Sequence, residues 1–279
     1  DAQESRGLGD VYKRQEQVLY VDQNSVGRSS RSNPVTYIDA FTPIRELYAE
    51  QPLAKQMGYK PYFFSFNKEG GRCEVCKGDG VVEVPMQFMT DITLVCDACE
   101  GKRFQKNILE VTYHGVNIYD LLEMTVDQAI EFFTKYPADQ TTSIIRLLEG
   151  LQRVGLGYLQ LGQNSSTLSG GENQRLKLAY YLGRDHEPHT LFVFDEPTTG
   201  LHFHDISTLL TAFRDLIDQG HSVLIIEHNM EVIKSADYII DLGPDGGDKG
   251  GQLVVAGTPE EVAACPDSIT GHYLKEKLT

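Results

Sequence analysis

The hydrophobic pattern changes character near Ser169. Beyond it, continuous apolar runs alternate with amphipathic ones. HTLFVFDEP carries the unbroken apolar core of a strand buried on both faces, and HSVLIIEH predicts a second buried strand. Between them, DISTLLTAFRDLIDQG repeats apolar residues at helical spacing and closes at Gly220. ADYIIDLG and GQLVVAG predict two shorter strands. T-P-E-E at 258 starts a terminal helix with both a proline and capping-box residues in place. Strand, helix and strand at these lengths give an α/β domain layered on a mainly parallel sheet.

The first half reads differently. QVLYV, from Gln17 to Val21, predicts a short strand, followed by the polar loop DQNSVGRSSRSNP. Thr42 is expected to cap a helix with Pro43 at its first position, in TPIRELYAE. Residues 58–111 combine Gly, Cys, aromatics and alternating segments such as VVEVPMQFM, the composition of a small inserted module. Helices resume at Thr125, where T-V-D-Q forms a capping box, and again across 140–154. The first fifteen residues, DAQESRGLGDVYKRQ, are polar and without period, and read as a disordered or foreign leader.

Composition narrows the options. A net charge of −15 argues against a chain that coats nucleic acid by bulk electrostatics, and leaves open a local basic patch. No apolar run approaches membrane-spanning length and no signal-type leader is visible, so a soluble cytoplasmic protein with no membrane partner is expected. Four of the five cysteines stand in two C-x-x-C pairs, which fits metal binding in a reducing compartment better than disulfides.

Those pairs, Cys73/Cys76 and Cys96/Cys99, are separated by nineteen residues. Folding the intervening residues as a hairpin brings four thiolates around one Zn²⁺ and leaves no open coordination position, as in a structural site. Gly78 and Gly101, two positions after each second cysteine, relieve the strain of the tight turns. The competing reading is four unligated thiols in a loop. Cys265 stands alone and reads as an ordinary residue. CEVCKGDG also fits the C-x-x-C-x-G-x-G repeat of DnaJ-type co-chaperones, but the second copy, CDACEGKR, loses the last glycine.

A second constellation points to nucleotide chemistry. Ser169 and Glu172 have the N-cap and N3 spacing of a capping box, with Gly170 and Gly171 leaving N–H groups open to a ligand. Alone, this is also what a well-capped helix looks like. LFVFDEP places Asp195 and Glu196 at the carboxyl end of a strand, where α/β proteins bind ligands. There Asp195 is positioned to hold Mg²⁺ and Glu196 to polarise an attacking water; the alternative is a helix N-cap. LIIEHN ends the next strand with His228, placed to reach a γ-phosphate, or else structural. The order of the three motifs, more than any one of them, argues for a nucleotide site.

At these residues the chain resembles the ATP-binding-cassette superfamily. LSGGE is similar to its signature motif, LFVFDE to its Walker B with catalytic glutamate, TTGLH to its D-loop, His228 to its switch histidine, and Gln23 to its Q-loop glutamine. VDQ-x-x-x-GR-x-x-RSNP, FSFN-x-x-GGRCE-x-C-x-GDG, LGQ-x-x-x-TLSGGE-x-QR, DEPTTGLH and IEHN together resemble the second ATPase half of the UvrA family of the ABC excinuclease, from about Glu16 onward. The four-cysteine insert separates this family from transporters. The resemblance implies an ABC-type nucleotide-binding fold: a partial core with Q-loop over 16–57, a zinc insertion over 58–111, a helical signature subdomain over 112–188, and a core with Walker B, D-loop and switch histidine over 189–279. It implies an ATPase of bacterial nucleotide excision repair that uses ATP, Mg²⁺ and Zn²⁺. The implied partners are damaged duplex DNA, a second ATPase half or a second copy of the protein, and a UvrB-type helicase. Within the locally acidic zinc module, Arg72, Lys102 and Arg103 are the candidates for DNA contact; Arg28 and Arg31 form a second candidate surface.

The phosphate-cradling G-x-x-x-x-G-K-[ST] does not occur in these residues. In the family that loop precedes the Q-loop, so an N-terminally truncated chain, inactive alone, is expected. In ABC ATPases the signature helix closes on ATP held by another head, so Ser169 and its glycines imply one jaw of a composite site. The alternative is a non-enzymatic, zinc-stabilised adaptor or DnaJ-like module on an ABC-like scaffold, which would have no use for Glu196 and His228.

Overall fold

The structure is a computed structural model that describes residues 17–22, 24, 26, 31–86, 92–183, 190–243 and 250–278, without the His204 side chain. In chain order the strands are β1 (Gln17–Val21), β2 (Val81–Val84), β3 (Ile92–Val95), β4 (Thr112–Tyr113), β5 (Val116–Asn117), β6 (Thr190–Asp195), β7 (Ser222–Ile226), β8 (Ile239–Gly243) and β9 (Gln252–Gly257). The helices are α1 (Pro34–Tyr37), α2 (Phe41–Ala49), α3 (Pro52–Met57), α4 (Lys106–Leu109), α5 (Ile118–Glu123), α6 (Val126–Lys135), α7 (Thr141–Arg153), α8 (Gly170–Leu182), α9 (Phe203–Asp218), α10 (Met230–Ile233), α11 (Pro259–Ala264) and α12 (Ile269–Lys277). They fall into two compact units, divided after Asp22 and again before Glu187.

The sheet unit contains the parallel sheet β1-β6-β7, with β6 in the centre. Phe192 and Phe194 of β6 are buried on one face, and the Phe194 ring lies 4.8 Å from Phe213 of α9. Leu209, Ala212 and Leu216 of that helix are also buried. On the opposite face, Val18, Tyr20, Leu224 and Ile226 are exposed. The sequence expectation of two strands buried on both faces therefore fails for β7 and holds only partly for β6. A continuous apolar run does not show whether both faces are covered, and within this unit α9 covers one. The remaining strands, β8 and β9, pair antiparallel as a separate ribbon.

In the other unit, helices α6, α7 and α8 pack around Phe133, Ile144, Leu148, Leu151, Leu176 and Ala179, all fully buried. The capping box at Thr125 forms as expected: its hydroxyl accepts the Gln128 N–H at 3.2 Å and Gln128 Oε1 accepts the Thr125 N–H at 3.0 Å. The box at Thr258 forms likewise on α11. Thr42 does not cap its helix. Helix α2 begins at Phe41, two residues before Pro43, and Thr42 instead donates its hydroxyl to Asp39 at 3.2 Å. The turn through Asp39, whose φ is 69°, feeds straight into the helix and leaves Thr42 inside the first turn.

Truncating Phe133 to alanine removes a fully buried ring from the helical core. It is expected to lower the unfolding free energy by about 3–5 kcal/mol in urea titration. A loss below about 1 kcal/mol would contradict its place in the core.

Candidate functional site

The four thiols meet. Cys73, Cys76, Cys96 and Cys99 are all buried, and their sulfurs lie within 4.8 Å of one another. The Cys73–Cys96 and Cys76–Cys99 sulfur pairs are 3.9 and 3.6 Å apart. The hairpin β2–β3 joins the two knuckles, as their spacing predicts. Both knuckles use the same backbone device. Lys77 and Gly78 follow Cys76 at φ 53° and 90°, and Glu100 and Gly101 follow Cys99 at 54° and 82°. Gly78 is also required by space, because a Cβ there would stand 1.9 Å from the Phe66 carbonyl oxygen, whereas Gly101 is favoured by its φ alone.

These turns aim N–H groups at sulfur. The Gly80 N–H donates to Cys76 Sγ at 3.3 Å. Burial pushes the Cys99 thiol up to about 12. At Cys96 burial also opposes ionisation, but the Cys99 and Ala98 N–H groups and the neighbouring thiols outweigh it and bring the pKa down to about 7. A four-sulfur, closed, N–H-lined cluster fits tetrahedral Zn²⁺ with no open position. Cys265 is half-buried, far from any such cluster in sequence.

The cations near the knuckles are engaged locally. Arg72 is 11% exposed at its side chain and pairs with Glu69 at 3.2 Å and Glu74 at 3.7 Å. Arg103 lies over the Phe66 ring and donates to the Gly162 carbonyl at 3.3 Å. Arg31 pairs with Asp79 at 3.2 Å. Lys102 is exposed, 3.9 Å from Glu100. Arg28 and Gln23 lie outside the described residues, as does the leader 1–15.

In the same unit the signature segment forms the predicted capped helix. Ser169 is the N-cap of α8; its N–H donates to Glu172 Oε2 at 2.7 Å, and its hydroxyl accepts the Glu172 N–H at 3.2 Å. Two contributors were not read from sequence. The Tyr158 hydroxyl donates to Glu172 Oε1, while Asn173 donates to the Leu168 and Ser169 carbonyls and accepts the Val26 N–H. Burial, then the bond to Glu172, pushes Tyr158 up to about 12, and that bond with the Ser169 N–H holds Glu172 below the usual carboxylate range against its own desolvation. Glu172 is therefore committed to the cap, which leaves Ser169 and Gly170 at the accessible helix end.

In the sheet unit, Asp195 and Glu196 lie at the carboxyl end of β6, and His228 lies two residues beyond β7. Glu196 has a left-handed backbone, φ 46°, held by its N–H donating to the Ile226 carbonyl at 2.9 Å. Its Oε1 stands 3.6 Å from His228 Nδ1, and both side chains are substantially exposed. Asp195 accepts the Tyr20 hydroxyl at 3.1 Å. Glu227, also missed in sequence, takes N–H groups from both strand-end loops. Its signal was an acidic residue at a strand end, where backbone donors lose their sheet partners.

An Asp-Glu pair at the end of one strand with a histidine just beyond the next parallel strand, a capped Gly-Gly helix and a four-cysteine module define an ABC-type α/β nucleotide-binding fold. The comparisons narrow that class to UvrA-type sequence. The chain is 54% identical over 263 residues to UvrABC system protein A of Xylella fastidiosa strain Temecula1, covering 94% of this chain and 27% of that protein. Against UvrABC system protein A of Aquifex aeolicus it is 52% identical over 278 residues, 100% of this chain and 29% of that protein. The crystal structure of UvrA2 from Deinococcus radiodurans matches with a TM-score of 0.87 and 45% identity, covering 95% of this chain and 32% of that one. The chain thus spans less than a third of the length of these relatives. No protein-family model matches it. Among the described residues, no helix is long and apolar enough to cross a membrane.

Metal analysis of freshly purified, reduced protein is expected to find one zinc per chain. Cys96→Ser should abolish stoichiometric zinc, because three thiolates leave the buried cluster open. Zinc-free wild-type protein would contradict the site.

Proposed function

We propose that this chain is the part of a UvrA-type DNA-damage-recognition ATPase that supplies a Walker B strand, a switch histidine and a signature helix, and that the longer protein uses ATP to bind and inspect DNA in nucleotide excision repair. The observation that carries the reading is the Glu196–His228 pair, 3.6 Å apart at the carboxyl ends of adjacent parallel strands. Glu196 acts as the general base toward the attacking water, and His228 reaches the γ-phosphate. Asp195 would hold Mg²⁺, which when bound would supply charge neutralisation at the phosphates. Ser169 through its hydroxyl and Gly170 through its N–H, backed by Gly171, present the positive helix end to ATP held by a second head, and Glu172 fixes that turn. Gln23 is assigned as the Q-loop glutamine by resemblance.

The zinc insertion over 58–111 is structural in this reading, with Cys73, Cys76, Cys96 and Cys99 as ligands. Arg31, Arg72 and Arg103 brace the module, which leaves Lys102 as its better-placed contact for DNA. Partners of the longer protein are damaged duplex DNA, a second ATPase head and a UvrB-type helicase, in the cytoplasm. An adaptor without catalysis gives no role to the Glu196–His228 pair.

In a full-length protein carrying this sequence, Glu196→Gln is expected to cut ATP turnover by at least about 100-fold while ATP binding persists. Turnover within about threefold of wild type would remove Glu196 as the base.

A further inference from the structure

Glu227 plays no part in the nucleotide roles above, yet both of its carboxylate oxygens are taken up by loop backbone. Oε1 accepts the Thr198 N–H at 3.0 Å and also the Thr198 hydroxyl. Oε2 accepts the N–H groups of His228 at 2.9 Å and Asn229 at 3.0 Å. Four donors fill the acceptor sites of a carboxylate. Thr198 is itself buried.

These bonds tie the loop after β6, which carries Glu196, to the loop after β7, which carries His228. The ring of His228 is 79% exposed, so its reach is set by its backbone more than by packing. Glu196 is held in a strained left-handed conformation by a bond back to β7. We propose that Glu227 is a positioning residue, whose carboxylate clamps the two strand-end loops so that His228 stays opposite Glu196. A glutamine at this position keeps the shape but points an NH₂ group at one pair of donors, so at least one of the loops loses its acceptor. The kinetic consequence rests on the ATPase reading above; the clamp itself does not.

The test therefore has two arms, both in full-length protein. The first follows amide hydrogen exchange in wild type and Glu227→Gln. The His228 and Asn229 amides are expected to lose protection by at least about tenfold, while Phe192 and Phe194 in β6 keep theirs. Unchanged protection at His228 and Asn229 overturns the clamp, whatever the enzyme does. The second arm measures ATPase kinetics. Glu227→Gln should lower kcat by about tenfold or more with KM for ATP within about twofold, and should add nothing in a His228→Ala background. An equal further loss in that background would show a general structural role and overturn the proposal. If wild type hydrolyses no ATP, the ATPase reading fails and the exchange arm alone judges the clamp. Should Glu227→Gln fail to fold, Thr198→Val removes only the hydroxyl donor. It must then show a smaller loss of kcat in the same direction and faster exchange of the backbone amide at position 198; a folded Thr198→Val protein with wild-type values for both overturns the proposal.

Discussion

Backbone N–H groups that leave helices and strands need acceptors, and the chemistry of this chain is concentrated where those acceptors are side chains. Thiol sulfur serves the knuckle turns, as at Cys76 with the Gly80 N–H. A carboxylate serves the start of α8, where Glu172 and Ser169 exchange bonds. Another serves the loops after β6 and β7, where Glu227 receives N–H groups from both. In each place the satisfied backbone is an irregular segment that must hold one shape, and in each a residue assigned to function lies within a few positions of the acceptor.

The same constraint explains why the cysteine cluster is built as it is. Left-handed pairs after Cys76 and Cys99 cost conformational strain at Lys77 and Glu100, which are not glycines. The turns they form direct N–H groups toward sulfur, and four buried thiols packed together, with Cys96 pushed down and Cys99 pushed up, are a poor arrangement without a cation. The metal reading thus rests on the backbone as much as on the C-x-x-C spacing. Arg31 and Arg72 pair with acidic side chains near the knuckles, and Arg103 donates to the Gly162 carbonyl.

Legibility in the sequence followed the locality of the interaction. Capping boxes at Thr125, Ser169 and Thr258 span three residues and were readable, and so was the hairpin between the cysteine pairs. Thr42 misled because its helix starts from the preceding turn rather than from a free loop. The exposed face carrying Leu224 and Ile226 could not be read, since an apolar run records composition and not which face a neighbour covers. Tyr158 acts on Glu172, 14 positions away, a separation that no local pattern encodes, and the strand-end signal at Glu227 does not show its second reach, to Thr198 29 positions away.

The proposal to be tested is that Glu196 and His228 turn over ATP only as part of a longer protein; the phosphate-cradling G-x-x-x-x-G-K-[ST] does not occur in the 279 residues. The most direct test measures steady-state ATP turnover by the 279-residue chain alone, zinc-loaded and folded, beside a full-length protein containing it. Background turnover is expected from the chain alone and measurable turnover from the full-length protein. Strong hydrolysis by the isolated chain that disappears in Glu196→Gln would contradict it.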